Sequence, residues 1–599
     1  MNFDIVFVTY NSEKWIKKCI NSILNSNYNL KKIGLYFYDG CSKDKTVSLL
    51  ESSRKEHINK FNDFVIIKGK KNIGFGRGNN EAFSHTKAPY VFFLNIDCEI
   101  FLDTLSKINE AIENTKKEER VGIWELRQLP YEHPKYYDPY TNYTSWVSGA
   151  CFVISRELFK KVNGFDKNIF LYCEDLELSW HVRKLGYKLK YMYDIPVVHH
   201  SYEESKFKLN QYIYSISNNI YIRYKYGSIR KILGGYKLFL AVLGSLNNNS
   251  DLECYSLRDV RKRLIKENIK MSFLGIGAFI SRVQYLFKKS YGFKPKFIDF
   301  DYETPKKGAF YQIKEIKKKL PLVSIIVRTC GRPDYLRETL ISIRKQTYKN
   351  IEVVVVEDGE AISDKMINEE FSDMNIKYFA TGEKVGRCKV GNLGLKKASG
   401  DYLNFLDDDD LFYPDHVEVL VSEMLSANNK VVYNSAFETP VDVLSKEPYR
   451  YVVKDVITRY SIDFNYLCLL YSNITPIQAV MFDKEVYKTC GGFDENMDAL
   501  EDWDLWIRYA LKYPFRYVDK TTSLYRVPAD PKEIARRSQF LTEPLNEVRE
   551  KYKDVKLDVK ASDVLGFEMM LEQNRVIIKR SLIRRIARKV INMLKRKGE

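Results

Sequence analysis

Two stretches roughly 320 residues apart follow one plan, and no other feature of this chain limits its fold so sharply. "DIVFVTYNSEKWIKKCINSIL" begins at Asp4 and "SIIVRTCGRPDYLRETLISIRKQTY" begins at Ser324. Each is a short β-branched run, a polar turn, and then apolar residues at helical spacing. Ile16, Ile20, Ile23 and Leu24 share one helical face, and Leu336, Leu340 and Ile343 share the other. A second strand follows in each copy, "IGLYFYDG" ending at Asp39 and "IEVVVVEDG" ending at Glu357–Asp358. Next come stretches rich in glycine and asparagine, "NIGFGRGNNEAF" and "VGRCKVGNLGLKKASGDY", and then apolar strands that end in acid, "YVFFLNIDCEI" and "YLNFLDDDDLFYPDH". Both copies close on a "GFD" turn and an acidic pair, "NGFDKNIFLYCED" and "GGFDENMDALED".

Strand–helix alternation of this kind predicts a parallel sheet wrapped by helices, the α/β class, present twice. The predicted organisation is a first α/β domain at residues 1–204, a helical connecting region and linker at 205–319, a second α/β domain at 320–530 and a helical tail at 531–599. At 599 residues the chain is too long for a single core. In open α/β sheets ligands sit at the carboxyl ends of strands, where Asp39, Asp97, Glu357, Asp358, Asp407 and Asp409 are all expected.

The acidic pairs raise the sharpest chemical question. Glu174–Asp175 stands among Phe170, Leu171, Tyr172, Leu176 and Trp180, and Glu501–Asp502 stands among Leu500, Trp503, Leu505 and Trp506. Desolvation of a carboxylate raises its pKa towards the range of a general base, so Asp175 and Asp502 could each take a proton from a hydroxyl. Glu174 and Glu501 could bind acceptor hydroxyls or a local arginine. The other reading is a helix N-terminal acidic turn, and both sequences do look like helix starts.

In "FLDDDDLF", strand geometry points Asp407 and Asp409 to one side, where a hard divalent cation could neutralise them; an exposed acidic turn is the alternative. The first copy, "LNIDCE", keeps Asp97 with Asn95 in the other position. His199 and His200 follow the last apolar strand of the first domain, so His199 is a further candidate ligand, against the alternative of a satisfied core or surface histidine. The glycine-rich stretches are not the dinucleotide fingerprint, because they precede a strand instead of following the first one. They would let backbone approach a ligand, with Arg77 and Asn79, or Arg387 and Asn392, near a phosphate.

In this order the motifs resemble family 2 inverting glycosyltransferases of the GT-A fold, over residues 1 to about 204 and about 320 to 530. The first copy is similar to the rhamnosyltransferase-like branch through "GFGRGNN", "LNID", "FLYCEDLELSWHVRKLGY" and "VVHH", and the second to the branch that extends capsular and O-antigen glycans. The resemblance implies a nucleotide-sugar donor, Mg²⁺ or Mn²⁺, and single displacement with inversion. It would place Thr9 and Asp39 at the nucleotide, Asp97 and His199 at the cation and Asp175 as base. In the second copy it would place Thr329 with Glu357 or Asp358 at the nucleotide, Asp407 and Asp409 at the cation, and Asp502 as base. Glu357 stands where the family usually has aspartate, and the second copy has no strand-end histidine.

Ten scattered cysteines form no C-x-x-C pair, which argues against zinc ribbons and a disulfide framework and fits a reducing compartment. The N-terminus lacks a signal-peptide pattern, and the most apolar runs are about half the roughly 20 residues needed to span a bilayer. The net charge of +18 is concentrated at the C-terminus, where residues 579 to 597 hold nine basic side chains and no acid, interleaved with apolar residues at helical spacing. Such a helix reads as a membrane-surface anchor, or as a packed helix with a solvated basic face; without interleaved aromatics it does not suggest nucleic acid. The expectation is a cytoplasmic bifunctional enzyme, peripheral at the inner face of the membrane, that builds a surface polysaccharide on a lipid-linked or oligosaccharide acceptor. The alternative keeps one domain catalytic and makes the other a glycan-binding or scaffold module.

Overall fold

A computed structural model describes residues 1–132, 135–200, 208–283, 320–459 and 461–572, with the single residues 295 and 311. The expected linker into the second domain and the basic C-terminal segment lie outside the described residues. The chain divides into two compact units, Met1–Gln312 and Ile313–Glu599.

Among the described residues the first unit has nine strands: β1 (Phe3–Thr9), β2 (Ile33–Asp39), β3 (Asp63–Lys68), β4 (Tyr90–Leu94), β5 (Cys98–Ile100), β6 (Val121–Leu129), β7 (Tyr143–Thr144), β8 (Cys151–Ser155) and β9 (Lys188–His199). They form one sheet in the order β3–β2–β1–β4–β8–β6–β9–β5, with β7 paired to β9. The run from β3 to β4 is parallel, while β8 is antiparallel to both its neighbours and β5 is antiparallel to β9. β1 is apolar and buried along nearly its whole length, as a strand covered by helices on both faces must be.

The second unit repeats the eight-strand path of this sheet. Its strands are β10 (Val323–Thr329), β11 (Ile351–Glu357), β12 (Ile376–Ala380), β13 (Tyr402–Asp407), β14 (Leu411–Phe412), β15 (Val431–Lys446), β16 (Tyr449–Val453), β17 (Ile457–Arg459), β18 (Val480–Asp483) and β19 (Phe515–Pro528). The order is β12–β11–β10–β13–β18–β15–β19–β14, with β16 and β17 added on β15. Thr9 pairs with Asp39 and Thr329 with Glu357, while Phe3 pairs with Tyr90 and Val323 with Tyr402. These registers give a residue-by-residue correspondence between the units.

Both glycine-rich stretches fold as helices, α1 (Phe75–Ser84) in the first unit and its counterpart Arg387–Lys397 in the second. Glycine content by itself disfavours a helix here, since glycine has poor intrinsic helix propensity. Gly74 and Gly386 cap them with φ of 91° and 94°, a conformation that glycine adopts without strain. The acidic pairs open α2 (Glu174–Lys184) and its counterpart Glu501–Ala510.

The connecting region is helical as expected: α3 (Leu209–Tyr226), α4 (Ile229–Ser245) and α5 (Leu257–Val283). α3 is tied to the first sheet at the edge of the acidic pair. Tyr221 Oη donates to Asp166 at 2.6 Å, Lys225 bridges Asp166 at 2.6 Å and Glu177 at 2.7 Å, and Asn218 Nδ2 donates to the Tyr172 carbonyl at 2.7 Å. Trp146, Ile169, Trp180 and Tyr221 fill the seam between them. After β19 the second unit continues as the helices Pro531–Phe540 and Thr542–Lys551.

Candidate active sites

The second unit holds a cleft of about 760 Å³ at the carboxyl ends of its parallel strands. β10 brings Arg328 to its floor, buried in a strand that carries no other charge. A buried guanidinium requires carboxylates. It finds Asp407 through two parallel bonds, Nε at 2.7 Å and Nη2 at 2.9 Å, and Glu501 through Nη1 at 3.0 Å. One side chain thus joins the acidic strand end to the acidic helix start. Burial pulls the Asp407 carboxyl upward, but the charge and bonds of Arg328 outweigh it and the net shift is downward.

The four aspartates divide by direction. Asp408 is buried, takes a hydrogen bond from Thr329 Oγ1 at 2.7 Å and pairs with Arg332. Asp410 is also buried and accepts the Arg526 backbone N–H at 3.0 Å. Asp407 and Asp409 open into the cleft, their side chains 31% and 39% exposed. Asp409 faces Arg332 at 3.4 Å. The two open carboxylates are therefore already opposed by two guanidinium groups. Among the described residues no third acidic, cysteine or histidine ligand joins them within range of one ion, and the two guanidinium groups compete with a divalent cation for these carboxylates.

Asp502 lines the same cleft. Burial first, and then the neighbouring Glu501 charge, push its carboxyl up to about 7, against hydrogen bonds from the Trp503 N–H at 2.8 Å and Asn473 Nδ2 at 2.9 Å. Glu501 is held by Arg328 and lies 3.9 Å from Arg387, which also lines the cleft. The residue before the pair, Leu500, adopts φ of 58°, left-handed backbone that a branched side chain tolerates only under tertiary constraint. The first copy repeats this at Cys173, with φ of 73°.

The candidate nucleotide residues take differing roles. Asp358 is in the cleft and accepts the backbone N–H of Val385 at 2.6 Å and of Gly386, which fixes the turn before the Arg387 helix. Glu357 is fully buried, and its carboxylate is saturated by Gly331 N–H, Ser363 N–H, Ser363 Oγ and Tyr378 Oη. It organises loops. Asn392 lies away from the cleft lining and braces the "GFD" turn, donating to the Phe493 carbonyl at 3.0 Å and accepting its N–H at 2.8 Å.

In the first unit the residue facing Asp39 across the sheet is again a threonine: Thr9 Oγ1 donates to Asp39 at 3.0 Å, and Ser42 N–H adds 2.9 Å. Both Thr9 and Asp39 are buried. Asn80, not Asn79, matches Asn392: it bonds the Phe165 carbonyl at 2.8 Å and N–H at 2.9 Å, whereas Asn79 bonds the Phe75 carbonyl in its own helix at 3.1 Å. Arg77 donates to the Lys167 carbonyl of the same turn. Repetition of the motif concealed this one-residue offset, which the shared glycine caps reveal.

Asp97 and His199 meet where β5 pairs with β9, Oδ1 to Nε2 at 3.5 Å. His199 Nδ1 donates to Gln128 Oε1 at 2.7 Å, which turns Nε2 toward Asp97. Burial acts to raise the Asp97 carboxyl, but the hydrogen bond and charge of His199 prevail and lower it. Ligand atoms of Asp97, Cys98 and His199 lie within 4.8 Å of one another, although burial keeps the Cys98 thiol protonated. A carboxylate with an oriented imidazole fits a divalent cation. By strand register the counterpart of His199 is Tyr525, which lines the second cleft.

Asp175 accepts the Gly149 N–H at 2.9 Å, and the next residue, Ala150, bonds Asn95 two positions before Asp97. Strand-end and helix-start acids thus share one edge of the sheet. The strand positions of Arg328 and Asp407 are here Val8 and Asn95, so β1 and β4 bring no guanidinium to the pair at those positions. Glu174 Oε2 is buried with no hydrogen-bond partner among the described residues. Burial, and then the Asp175 charge, push its carboxyl up to about 8. Arg328, Arg332, Asn473 and Gln128 were not singled out from sequence; a charged residue inside "SIIVRT" was the available signal for Arg328.

Comparison with known proteins fits this duplicated geometry. The family description glycosyl transferase family 2 matches twice, at residues 4–163 and 324–483. An uncharacterised glycosyltransferase of Rickettsia typhi is 32% identical over 190 residues, covering 32% of this chain and 58% of that protein. One from Haemophilus influenzae is 34% identical over 173 residues, covering 28% and 65%. The matched region thus spans less than two thirds of these relatives' length. Among solved structures the chain is similar to residues 1–349 of S. aureus TarS, at 17% identity and a TM-score of 0.31, covering 48% of this chain and 92% of that one.

Proposed function

The chain belongs to glycosyl transferase family 2, and from that premise we propose that both units are active. Each would move a sugar from a nucleotide-diphosphate donor to an acceptor hydroxyl, with inversion, and the two sites would add sugars in turn to a growing bacterial surface glycan such as O-antigen or capsule. The observation that carries this reading is the acidic pair at a helix start, preceded by a left-handed residue, in both units.

In the second unit Asp502, held near 7, is poised to accept the acceptor's proton. Arg328 fixes Glu501 beside it, and Arg332 and Arg387 line the cleft with positive charge suited to a diphosphate. In the first unit Asp175 is the base. A divalent cation, Mg²⁺ or Mn²⁺, held by Asp97 and His199 would neutralise charge on the leaving diphosphate there. The buried Thr9–Asp39 and Thr329–Asp408 bonds shape the strand-end loops on which the nucleotide would rest. We place the enzyme in the cytoplasm at the inner membrane face, where the basic residues 576–599 would meet a lipid-linked acceptor; among the described residues no helix is long and apolar enough to cross a membrane.

Product mass after incubation with a panel of nucleotide sugars tests the proposal. Asp175→Asn and Asp502→Asn should each abolish a different transfer, lowering its rate at least about a hundredfold, the lower bound for a lost general base. If one variant keeps normal turnover of every product, that unit is a glycan-binding module instead.

A further inference from the structure

The helices α4 and α5 each present a second apolar face that no described residue of the first unit covers. On α5, Ile265, Ile269, Phe273, Ile276 and Ile280 recur at spacings of three and four and are 39% to 72% exposed. They lie beside a different, buried face formed by Val260, Leu264 and Met271. On α4, Ile229, Leu233 and Leu240 do the same, at 57% to 66% exposed. Tyr236 of α4 donates to Ser272 of α5 at 2.8 Å, and on each helix the exposed stripe begins next to that contact. The two stripes therefore flank one contact between the helices.

The border of the stripes is basic. α4 carries Arg230, Lys231 and Lys237 and no acid, and α5 carries seven basic residues against Asp259 and Glu267. Lys237 on α4, and Lys266 and Lys270 on α5, occupy the same edge of their stripes, with stems long enough to lie along apolar surface while the ammonium stays in water. Charge narrows the choice of occupant. Of the chain's own segments outside the described residues, the two longest stretches, within 284–319 and at 573–599, are strongly basic and would be repelled. A second copy would bring the same basic border against itself, and protein interfaces are depleted in lysine.

We infer that the α4–α5 face is a docking surface for an anionic phospholipid membrane, with its isoleucine, leucine and phenylalanine side chains in the acyl boundary and its lysines among the headgroups. This contact is separate from residues 576–599 and from the identity of the sugars transferred.

Co-sedimentation of the full chain with vesicles tests it. Phosphatidylcholine alone is compared with an equal mixture of phosphatidylcholine and phosphatidylglycerol, for the intact chain and for one ending at residue 575. Both forms should bind the anionic vesicles more tightly than the neutral ones. Ile269→Gln/Phe273→Gln/Ile276→Gln should lower that binding by more than about tenfold, given three apolar side chains withdrawn from lipid. Lys262→Glu/Lys266→Glu/Lys270→Glu should remove the preference for anionic vesicles. All six positions are exposed, so circular dichroism melts should match the parent and separate lost docking from lost folding. Unchanged sedimentation of the glutamine variant overturns the inference. So does a change from dimer to monomer in that variant by light scattering, which would make a second copy the occupant.

Discussion

One side chain separates the two acidic pairs: Val8 in the first unit, Arg328 in the second. Where the guanidinium is present, Glu501 has a cationic partner at 3.0 Å and Asp502 is the group pushed up to about 7. Where valine takes its place, Glu174 is pushed up to about 8. Arg328→Val alone takes the 3.0 Å partner from the buried Glu501 and both bonds from Asp407, and should cost about 3–5 kcal/mol in urea unfolding. Adding Asp407→Asn, which reproduces the Val8–Asn95 arrangement, should recover a large part of that loss; a double variant no more stable than the single one would refute the correspondence. Asp502 must ionise to act, so turnover at the second site should rise with pH to a plateau above about 7. Asn473→Ala removes a bond that favours the ionised form, and should move the inflection to higher pH. Glu174 has the opposite sign in stability. Between its ordinary 4.5 and about 8 the folded state keeps a proton that the unfolded chain releases, so folding weakens as pH rises through that window. Glu174→Gln should therefore raise the Tm at about pH 8.5 by roughly 2–4 °C, with the advantage vanishing near pH 5. An equal gain at both values would remove burial of the charge as the cause.

At the scale of elements, each site depends on a helix start and a turn brought against one sheet edge. Asn80 and Asn392 perform the same reciprocal bonding to the "GFD" turn in their own units. Asn80→Ala and Asn392→Ala should each cost about 1–3 kcal/mol through unsatisfied backbone groups, and each should impair only its own unit's transfer. Loss of both transfers from either change would contradict two self-contained sites. The strands and the amphipathic helices beside them were legible because burial imprints a local period, as in Ile16, Ile20 and Ile23, all now buried. The glycine-rich helices were not, because their low propensity is overridden by contacts from residues about 90 positions away, such as Phe165 against Gly76. Glu357 illustrates a second gap: its strand-end place was readable, yet donors from Gly331, Ser363 and Tyr378 make it an organiser of backbone.

For the whole molecule, duplication has preserved architecture while the charge at each site diverged. The first unit offers Asp97 and His199 to a cation, whereas in the second Arg328 and Arg332 already oppose the open aspartates. Removal of divalent metal with a chelator should therefore suppress the first transfer by at least about a hundredfold, the scale of a lost electrostatic stabiliser. The second should retain most of its rate; equal loss of both, measured as separate products, would show that the arginines do not substitute for the ion. From the amino-acid order alone came the two α/β copies, the parallel core and the gathering of acids at strand ends. These depend on side-chain period and on connectivity, both written locally along the chain. Which carboxyl keeps its proton was settled only by folding, because that depends on exclusion of water and on a guanidinium 173 residues distant from Glu501.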